Sequence, residues 1–318
     1  MFSLCTTDAL NALIALTALT CTNFYHDMAE PTGTLTQLYT YPIKSCAGIA
    51  VSQTLVTPTG LAFDRQWMIV DDQGEFQTQR HIPHLVWIEP KVQEQAQTLT
   101  ISAPEMPTLT LPLATADNPK LSIRVWADRL DALDMGQAAA QWLDDYLQVP
   151  GKHFRLVQFD HKHTRLSDGF WCGAQPAPVQ FADGFALNVL SEASLRHFNE
   201  RRMEMGQEPV DARRFRPNLV IDGLGAHEED LLHTIEFKTN GASLLLELVK
   251  PCPRCQIPDV NPDTAAREPE VSTLLARYRQ IPAMDHAICF AMNAVVRSQA
   301  AVTLHVQDTF EGTYRFEG

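Results

Sequence analysis

Residues 34–42 read TLTQLYTYP, in which apolar and polar side chains come close to strict alternation. An alternation of period two is typical of β-strands with one buried face. The pattern returns in four further segments, IAVSQTLVT (49–57), QWMIV (66–70), HLVWIEPKV (84–92) and TLTIS (98–102). Turn-rich stretches separate these segments, as at 57–60 and 71–74. This part of the chain is therefore predicted to be β-structure.

The rest of the chain also reads mainly as strands, with helices between them. Helical spacing of apolar residues appears in AAAQWLDDYL (138–147), in EASLRHFNERR (192–202) after the N-cap Ser191, and around VSTLLARYR (271–279). Strands are predicted at SIRVW (122–126), HFRLVQF (153–159), FALNVL (185–190), NLVID (218–222), SLLLELV (243–249), AICFAM (287–292) and VTLHVQ (302–307). We therefore predict an α+β, mostly β fold with two β-rich lobes and a few peripheral helices, the second lobe being a barrel or a sandwich.

Composition limits the classes of function. A chain of 318 residues is long enough for two domains, and 45% hydrophobic with 20% charged residues is typical of packed globular proteins. The formal net charge of −13 argues against nucleic-acid or anionic-membrane binding over the whole surface, and leaves only a local basic pocket. Seven scattered cysteines indicate reduced thiols, from which we predict a cytoplasmic location.

The N-terminal segment contains the longest apolar run, ALNALIALTAL (9–19). This run is shorter than the roughly 20 residues that a membrane-spanning helix needs, so we expect no membrane span. The preceding MFSLCTTD carries no Lys or Arg, which makes it a poor secretory signal. We interpret Met28 as the native start and residues 1–30 as a flexible or non-native extension.

The tetrapeptide Cys252-Pro253-Arg254-Cys255 is a candidate for chemistry. A thioredoxin-type motif would open a helix, but Pro258 and Pro262 oppose helix formation there. A structural zinc site needs a second ligand pair at short spacing, which the sequence lacks. Two interpretations stay open: small side chains packed beneath a loop, or a thiolate, favoured by the neighbouring positive charge of Lys250 and Arg254, that binds a soft metal.

Two basic segments could bind phosphate. In RRFRPN (213–218), Arg216 precedes Pro217 and is predicted to be extended, and its guanidinium fork suits an oxyanion. In YPIKSC (41–46), Lys44 and Ser45 offer an ammonium group and a hydroxyl donor. Taken alone, each segment is more typical of a solvated surface than of a binding site.

Six blocks in order along the chain resemble the MOSC superfamily (molybdenum cofactor sulfurase C-terminal domain) with its N-terminal β-barrel domain. The blocks are YPIKSCAGI (41–49), GLAFDRQWMIVD (60–71), TQRHIPHL (78–85), FADGFALNVLSEASLRHFN (181–199), RFRPNLVIDG (214–223) and KPCPRCQIPDVNPDT (250–264). The resemblance extends to bacterial reductases of N-hydroxylated compounds and to the mitochondrial amidoxime-reducing component. It implies an N-terminal β-barrel-like domain over 33–125, a helical connector over 126–152 and a MOSC domain over 153–312.

The resemblance also implies a molybdenum-pyranopterin cofactor, Mo-molybdopterin. Cys255 matches the family's metal-binding and catalytic cysteine. The positions that match residues holding the cofactor are Lys44, Ser45, Arg65 and Arg216, with Asn218, Arg254 and the backbone of Asp183, Gly184 and Phe185 as further candidates. Arg80 matches a family arginine without an assigned role, and Cys252 is expected to support the loop.

The implied function is reduction of small N-hydroxylated or other N-oxygenated substrates. No C-x4-C-x2-C spacing of a plant-type ferredoxin domain occurs, so we expect electrons from a separate partner: a ferredoxin-like protein, a flavoprotein or a cytochrome b5-like protein. The alternatives are a carrier of persulfide sulfur or of the molybdenum cofactor, and a zinc or plain binding module. FAMNAVVRSQAAVTLHV (290–306) departs from the family's glycine-rich ending, and Thr264-Ala265-Ala266 interrupts a customary turn, so we expect the rim of the site to differ.

Overall fold

The computed structural model describes residues 30–173, 175–239 and 241–315. The first ten strands are β1 (Thr32–Thr40), β2 (Ile49–Ala50), β3 (Gln53–Thr57), β4 (Gly60–Leu61), β5 (Trp67–Asp71), β6 (Glu89–Gln93), β7 (Thr98–Ser102), β8 (Leu109–Pro112), β9 (Lys120–Val125) and β10 (Asp128–Asp134). The next eleven are β11 (Phe154–Phe159), β12 (Arg165–Leu166), β13 (Pro178–Val179), β14 (Leu187–Ser191), β15 (Leu219–Asp222), β16 (Leu232–Thr239), β17 (Ala242–Pro253), β18 (Gln280–Ile281), β19 (Ala287–Val296), β20 (Val302–His305) and β21 (Thr309–Tyr314).

Four α-helices lie within the described residues: α1 (Gln137–Leu147), α2 (Gly169–Cys172), α3 (Glu192–Glu204) and α4 (Glu270–Tyr278). Short 3-10 turns occur at Pro83–Trp87, Ala212–Phe215, Glu228–Leu231, Ile257–Asp259 and Pro282–Met284. Among the described residues, strands account for 41% and helices for 20%, which confirms the predicted α+β, mostly β fold class.

Seven strands form a closed barrel in the order β14-β15-β1-β21-β16-β17-β19. The barrel closes where β14 pairs antiparallel with β19, in a register that sets Val189 opposite Met292. Only the β14–β15 pair along this path is parallel among the described strands. Leu38, Phe237 and Leu246 fill the interior and are 0–1% exposed. Because the barrel is closed, each of its strands is hydrogen-bonded to a neighbour along both edges, which makes the barrel a rigid support for its loops.

The first lobe consists of a four-stranded sheet, β5-β11-β10-β9, and a three-stranded sheet, β6-β7-β8. Its core contains Trp67, Phe154 and Trp142, the last of which comes from α1. The strand at 153–159, expected to open the second domain, instead pairs with β5 and β10 in this lobe. The range 126–152, predicted as a helical connector, contains β10 as well as α1. The boundaries at 33–125, 126–152 and 153–312 stay predictions.

The segment HLVWIEPKV was predicted to be one strand, but it begins as the 3-10 turn Pro83–Trp87 and becomes a strand only at Glu89. Pro83 occupies the first turn, where its fixed φ and missing N–H favour a helical start. Leu85 and Val86 are both buried, whereas a strand would direct neighbouring side chains to opposite faces. The turn conformation therefore buries two adjacent apolar residues at once.

The interpretation of Met28 as the native start concerns residues that lie outside the described part of the chain. Within residues 30–315, apart from the two undescribed positions, the helices are too short and too polar to span a membrane.

Candidate functional site

One cavity of about 150 Å³ brings together the residues that the sequence analysis singled out. All ten predicted site residues line it: Cys255, Lys44, Ser45, Arg65, Arg216, Asn218, Arg254, Asp183, Gly184 and Phe185. Cys252 and Arg80 line it as well. Both lobes contribute, because the Lys44 backbone N–H donates to the carbonyl of Trp67 in the first-lobe strand β5, whereas Cys255 follows the barrel strand β17. Residues far apart in sequence therefore form a single site.

The cavity wall is strongly basic. Six cations line it, Lys44, Arg65, Arg80, Arg214, Arg216 and Arg254, against the single carboxylate of Asp183. Asp64 and Glu268 pair with Arg65 and Arg214 but do not line the cavity. In a chain of net charge −13, this excess of positive charge selects an anionic ligand.

Lys44 is nearly buried, at 6% exposure. Its ammonium donates to the Phe181 carbonyl oxygen at 2.9 Å and to the carboxylate of Asp183. Burial lowers the pKa of Lys44, and the Asp183 charge opposes this change. Burial alone would raise the pKa of Asp183, but the charge of Lys44 and its hydrogen bond bring it down to about 2. The Asp183 carboxyl is therefore ionised at neutral pH and lies against the Lys44 ammonium.

Arg65 and Arg216 both lie against the ring of Tyr41, with guanidinium carbons 4.3 and 4.2 Å from the ring centroid. Arg65 donates to Asn218 Oδ1 at 3.0 Å and to the Arg216 carbonyl at 3.3 Å. Arg216 donates to the Cys46 carbonyl at 2.8 Å and forms no ion pair among the described residues. Burial lowers the pKa of Arg216 to about 10, and the Arg65 charge contributes to this change.

Tyr41 was not among the predicted site residues, although it begins the YPIKSC segment. It is 1% exposed, and its hydroxyl is buried without a hydrogen-bond partner in the described structure. Gly48 packs against it so closely that an added Cβ would lie 2.3 Å from the ring. The sequence clue to its role was that Tyr41 and Gly48, which pack against each other, lie in the same block of family resemblance, YPIKSCAGI (41–49).

Three site residues adopt left-handed backbone conformations: Ser45 at φ 65°, Arg65 at φ 47° and Arg216 at φ 52°. For residues with a Cβ this conformation costs about 1–2 kcal/mol each, and such strain is concentrated at functional sites. The prediction that Arg216 is extended is wrong. The 3-10 turn Ala212–Phe215 ends at this residue, and the Arg216 N–H bonds the Arg213 carbonyl at 3.2 Å, which fixes the left-handed geometry.

The basic run at 213–216 divides into three different environments. Arg213 forms a fork with Asp211 and Asp263 at the surface. Arg214 is buried and pairs with Glu268. Of the three arginines, Arg216 carries the charge that no carboxylate neutralises in the described structure. Arg213 therefore lies at the solvated surface, whereas Arg214 and Arg216 form part of the cavity wall.

The loop after β17 presents Cys255 as an exposed residue on the cavity wall. Arg254 fixes this loop by donating to the Phe290 carbonyl at 2.7 Å, the Phe215 carbonyl at 2.8 Å and Asn188 Oδ1 at 3.2 Å. Cys252 also lines the cavity, and burial raises the pKa of its thiol. Lys250, expected to flank the thiols, lies over the Trp171 ring at 4.9 Å and outside the cavity wall.

Asn218 is 1% exposed, and both ends of its amide are used internally. Its Nδ2 donates to the Tyr39 carbonyl at 3.1 Å, and its Oδ1 accepts from Arg65 at 3.0 Å and from the Asn188 backbone at 3.2 Å. Asn218 therefore orients Arg65 towards the cavity.

Residues 32–150 match the MOSC N-terminal beta barrel domain, and residues 176–311 match the MOSC domain. Over 267 residues the chain is 34% identical to mitochondrial amidoxime-reducing component 1 of Mus musculus, covering 81% of this chain and 75% of the relative. The chain belongs to the MOSC family. The resemblance inferred from the six sequence blocks is thereby confirmed.

Two further relatives of this MOSC protein are informative. The human mitochondrial amidoxime-reducing component 1 is 33% identical, over 80% of this chain and 74% of that protein. The molybdenum cofactor sulfurase of Danio rerio is 28% identical, and the match spans 77% of this chain but 30% of the sulfurase. The amidoxime-reducing relatives are mitochondrial by name, and the cytoplasmic location of this MOSC protein stays a prediction.

Proposed function

We propose that this MOSC protein is a molybdenum-cofactor-dependent oxidoreductase that reduces N-hydroxylated or other N-oxygenated compounds. The observation that carries the proposal is the placement of the Cys255 thiol in the same cavity as six cations from both lobes. The relatives named amidoxime-reducing components support the same reaction class. In that reaction an N–O bond breaks, two electrons and two protons are consumed, and water leaves.

The residues present fit an anionic cofactor with a metal that binds sulfur. Cys255 offers a soft sulfur ligand for a transition metal at the cavity surface. The strained backbone at Ser45, Arg65 and Arg216 is typical of a functional site, where the free energy of ligand binding offsets the conformational strain. When bound, the cofactor supplies the two-electron chemistry that cleaves the N–O bond.

The chain's own residues bind and orient that group. Lys44, Ser45, Arg65 and Arg216 would hold the phosphate and pterin, because they combine ammonium, hydroxyl and guanidinium donors on one wall. Arg254 holds the Cys255 loop against the barrel, and Asn218 and Tyr41 orient the guanidinium of Arg65. The backbone of Asp183, Gly184 and Phe185 completes the wall.

Two partners follow from the proposal. The substrate is a small N-oxygenated molecule that reaches the exposed Cys255 side of the cavity. The electrons come from a separate ferredoxin-like protein, flavoprotein or cytochrome b5-like protein, because the chain lacks the cysteine spacing of a plant-type ferredoxin centre.

The test is metal content and activity of protein made in cells that synthesise the cofactor. We expect bound molybdenum and reduction of benzamidoxime with a chemically reduced dye as donor. Cys255→Ala is expected to lose more than about 100-fold in activity, since even residues that only support a metal ligand contribute about 10- to 100-fold. Cys172→Ala is the matched control, because Cys172 is buried outside the cavity. Metal-free protein, or full activity of Cys255→Ala, would overturn the proposal.

A sulfur or cofactor carrier is the second candidate, favoured by the exposed Cys255 and the sulfurase relative. Intact mass separates the two functions. One additional sulfur atom on Cys255, in protein that holds no molybdopterin and reduces no N-oxygenated substrate, would support the carrier.

A further inference from the structure

Arg80 differs from the other five cations of the cavity wall. Those five donate through their charged groups to carbonyl, amide or carboxylate oxygens, as Lys44 does to Asp183 and Arg254 to Phe215. In the described structure the Arg80 side chain makes one long hydrogen bond, from Nε to Thr78 Oγ1 at 3.4 Å. Its two terminal nitrogens, which form the guanidinium fork, have no hydrogen-bond acceptor among the described residues, although Arg80 lines the cavity.

The indole of Trp126 holds this guanidinium in place. The Arg80 guanidinium carbon lies 4.9 Å from the centroid of the Trp126 ring, and Phe76 contacts the same ring at 5.0 Å. The Trp126 N–H donates to Asp183 Oδ1 at 3.0 Å, which is also the oxygen that accepts from Lys44. The Arg80 backbone is fixed as well, because its carbonyl accepts from Arg267.

Trp126 stands in a conformation that few aromatic residues adopt. It lies in the two-residue turn between β9 and β10, with φ at 56°, a position where glycine or asparagine is usual. The residue is 44% exposed. A strained, exposed tryptophan that contacts two residues of the cavity wall is typical of a recognition element.

We propose that Arg80 is the residue that recognises a carboxylate group on the substrate, and that Trp126 is its positioning residue; this rests on the proposed function. The guanidinium fork binds carboxylates through two parallel hydrogen bonds, which an ammonium group cannot match. The preferred substrates are N-oxygenated compounds that carry a carboxylate, and neutral analogues lack this contact.

The test compares benzamidoxime with its 3-carboxy and 4-carboxy derivatives, in molybdenum-loaded protein with a reduced dye as donor. We expect higher kcat/KM for at least one carboxylated substrate, mainly through KM. Arg80→Gln is expected to lower that preference about tenfold, the size of a charge-assisted hydrogen bond, when the preference is measured as the ratio of kcat/KM for the carboxylated substrate to kcat/KM for benzamidoxime. Trp126→Leu is expected to lower the preference about threefold, and Trp126→Phe to restore most of it.

Arg129→Gln is the matched control, because Arg129 is exposed on β10 outside the cavity and its loss changes the net charge equally. Molybdenum content must be the same in all variants. Increasing the salt concentration should reduce the preference in the wild type and leave Arg80→Gln unchanged.

Equal losses for neutral and carboxylated substrates in Arg80→Gln would overturn the proposal, as would a preference that Arg80→Gln retains or that the wild type lacks. If the wild type reduces none of the three compounds, the proposed function fails. Calorimetric titration of the same loaded protein with the three compounds then decides the role of Arg80. Tighter binding of a carboxylated compound that Arg80→Gln abolishes supports the role, and equal binding refutes it.

Discussion

Replacing Gly48 with alanine should displace the Tyr41 ring and thereby disturb Arg65 and Arg216, which lie against it. An alanine Cβ at this position would lie 2.3 Å from Tyr41 Cε1, and at 2.8 and 2.9 Å from the next two atoms that it meets, both in the same ring. Tyr41 is 1% exposed, so the ring has little room to move. Overpacking of this kind costs about 1–3 kcal/mol of unfolding free energy, which corresponds to about 2–10 °C in Tm.

The same displacement should weaken ligand binding. The Tyr41 ring supports the guanidinium groups of Arg65 and Arg216 at 4.3 and 4.2 Å. Two cation–π contacts of about 0.5–1 kcal/mol each correspond to roughly 5- to 30-fold weaker cofactor retention. The lower Tm should therefore accompany a lower molybdenum content after dialysis.

The assay is thermal unfolding by circular dichroism, with molybdenum measured on the same preparations. Gly169→Ala is the matched control, because its added Cβ would meet only Pro176, at an ordinary 3.8 Å. We expect that control to keep the wild-type Tm within a degree or two. Wild-type stability and metal content in Gly48→Ala, or an equal loss in Gly169→Ala, would refute the reasoning about Tyr41.

Three further predictions follow from buried polar groups. Tyr41→Phe removes a buried hydroxyl that has no partner among the described residues, so denaturant unfolding should show a gain of about 1 kcal/mol in unfolding free energy or no change. A loss above that size would reveal a partner for the hydroxyl. Burial and nearby cations lower the pKa of His227 to about 3. As the pH falls below 6.5, this histidine is therefore protonated in the unfolded chain but not in the folded protein. The free energy of unfolding should fall by at most about 1.4 kcal/mol per pH unit in this range. His227→Asn should flatten the pH dependence of Tm between pH 6.5 and 4, and an unchanged slope would contradict this role. Asp183→Asn removes the carboxylate that occupies Lys44, so calorimetry on cofactor-free protein should show tighter binding of inorganic phosphate, by about threefold or more; weaker binding would mean that Asp183 orients Lys44 for the ligand.

Local sequence patterns predicted the elements well because those patterns report local interactions. The N-cap at Ser191 is an example: its hydroxyl accepts from the Ser194 N–H at 3.0 Å, at the start of the helix predicted from the same spacing. The helix at 271–279 is likewise found as α4. The failure at HLVWIEPKV arose where alternation and the helical preference after a proline conflicted, and burial decided in favour of the turn.

The sequence by itself determined the mostly β fold class, the family through six ordered blocks, and ten of the residues that line the cavity. Only the tertiary structure decided which strands pair: β1 joins the barrel, and β11 joins the first lobe. It also decided that Arg216 is left-handed beside Tyr41, and that Arg80 keeps its guanidinium fork free of protein acceptors among the described residues. The physical reason is the range of the interactions, because strand and helix periodicity reflects residues two to four positions apart, whereas Arg65 meets Asn218 across 153 residues of chain.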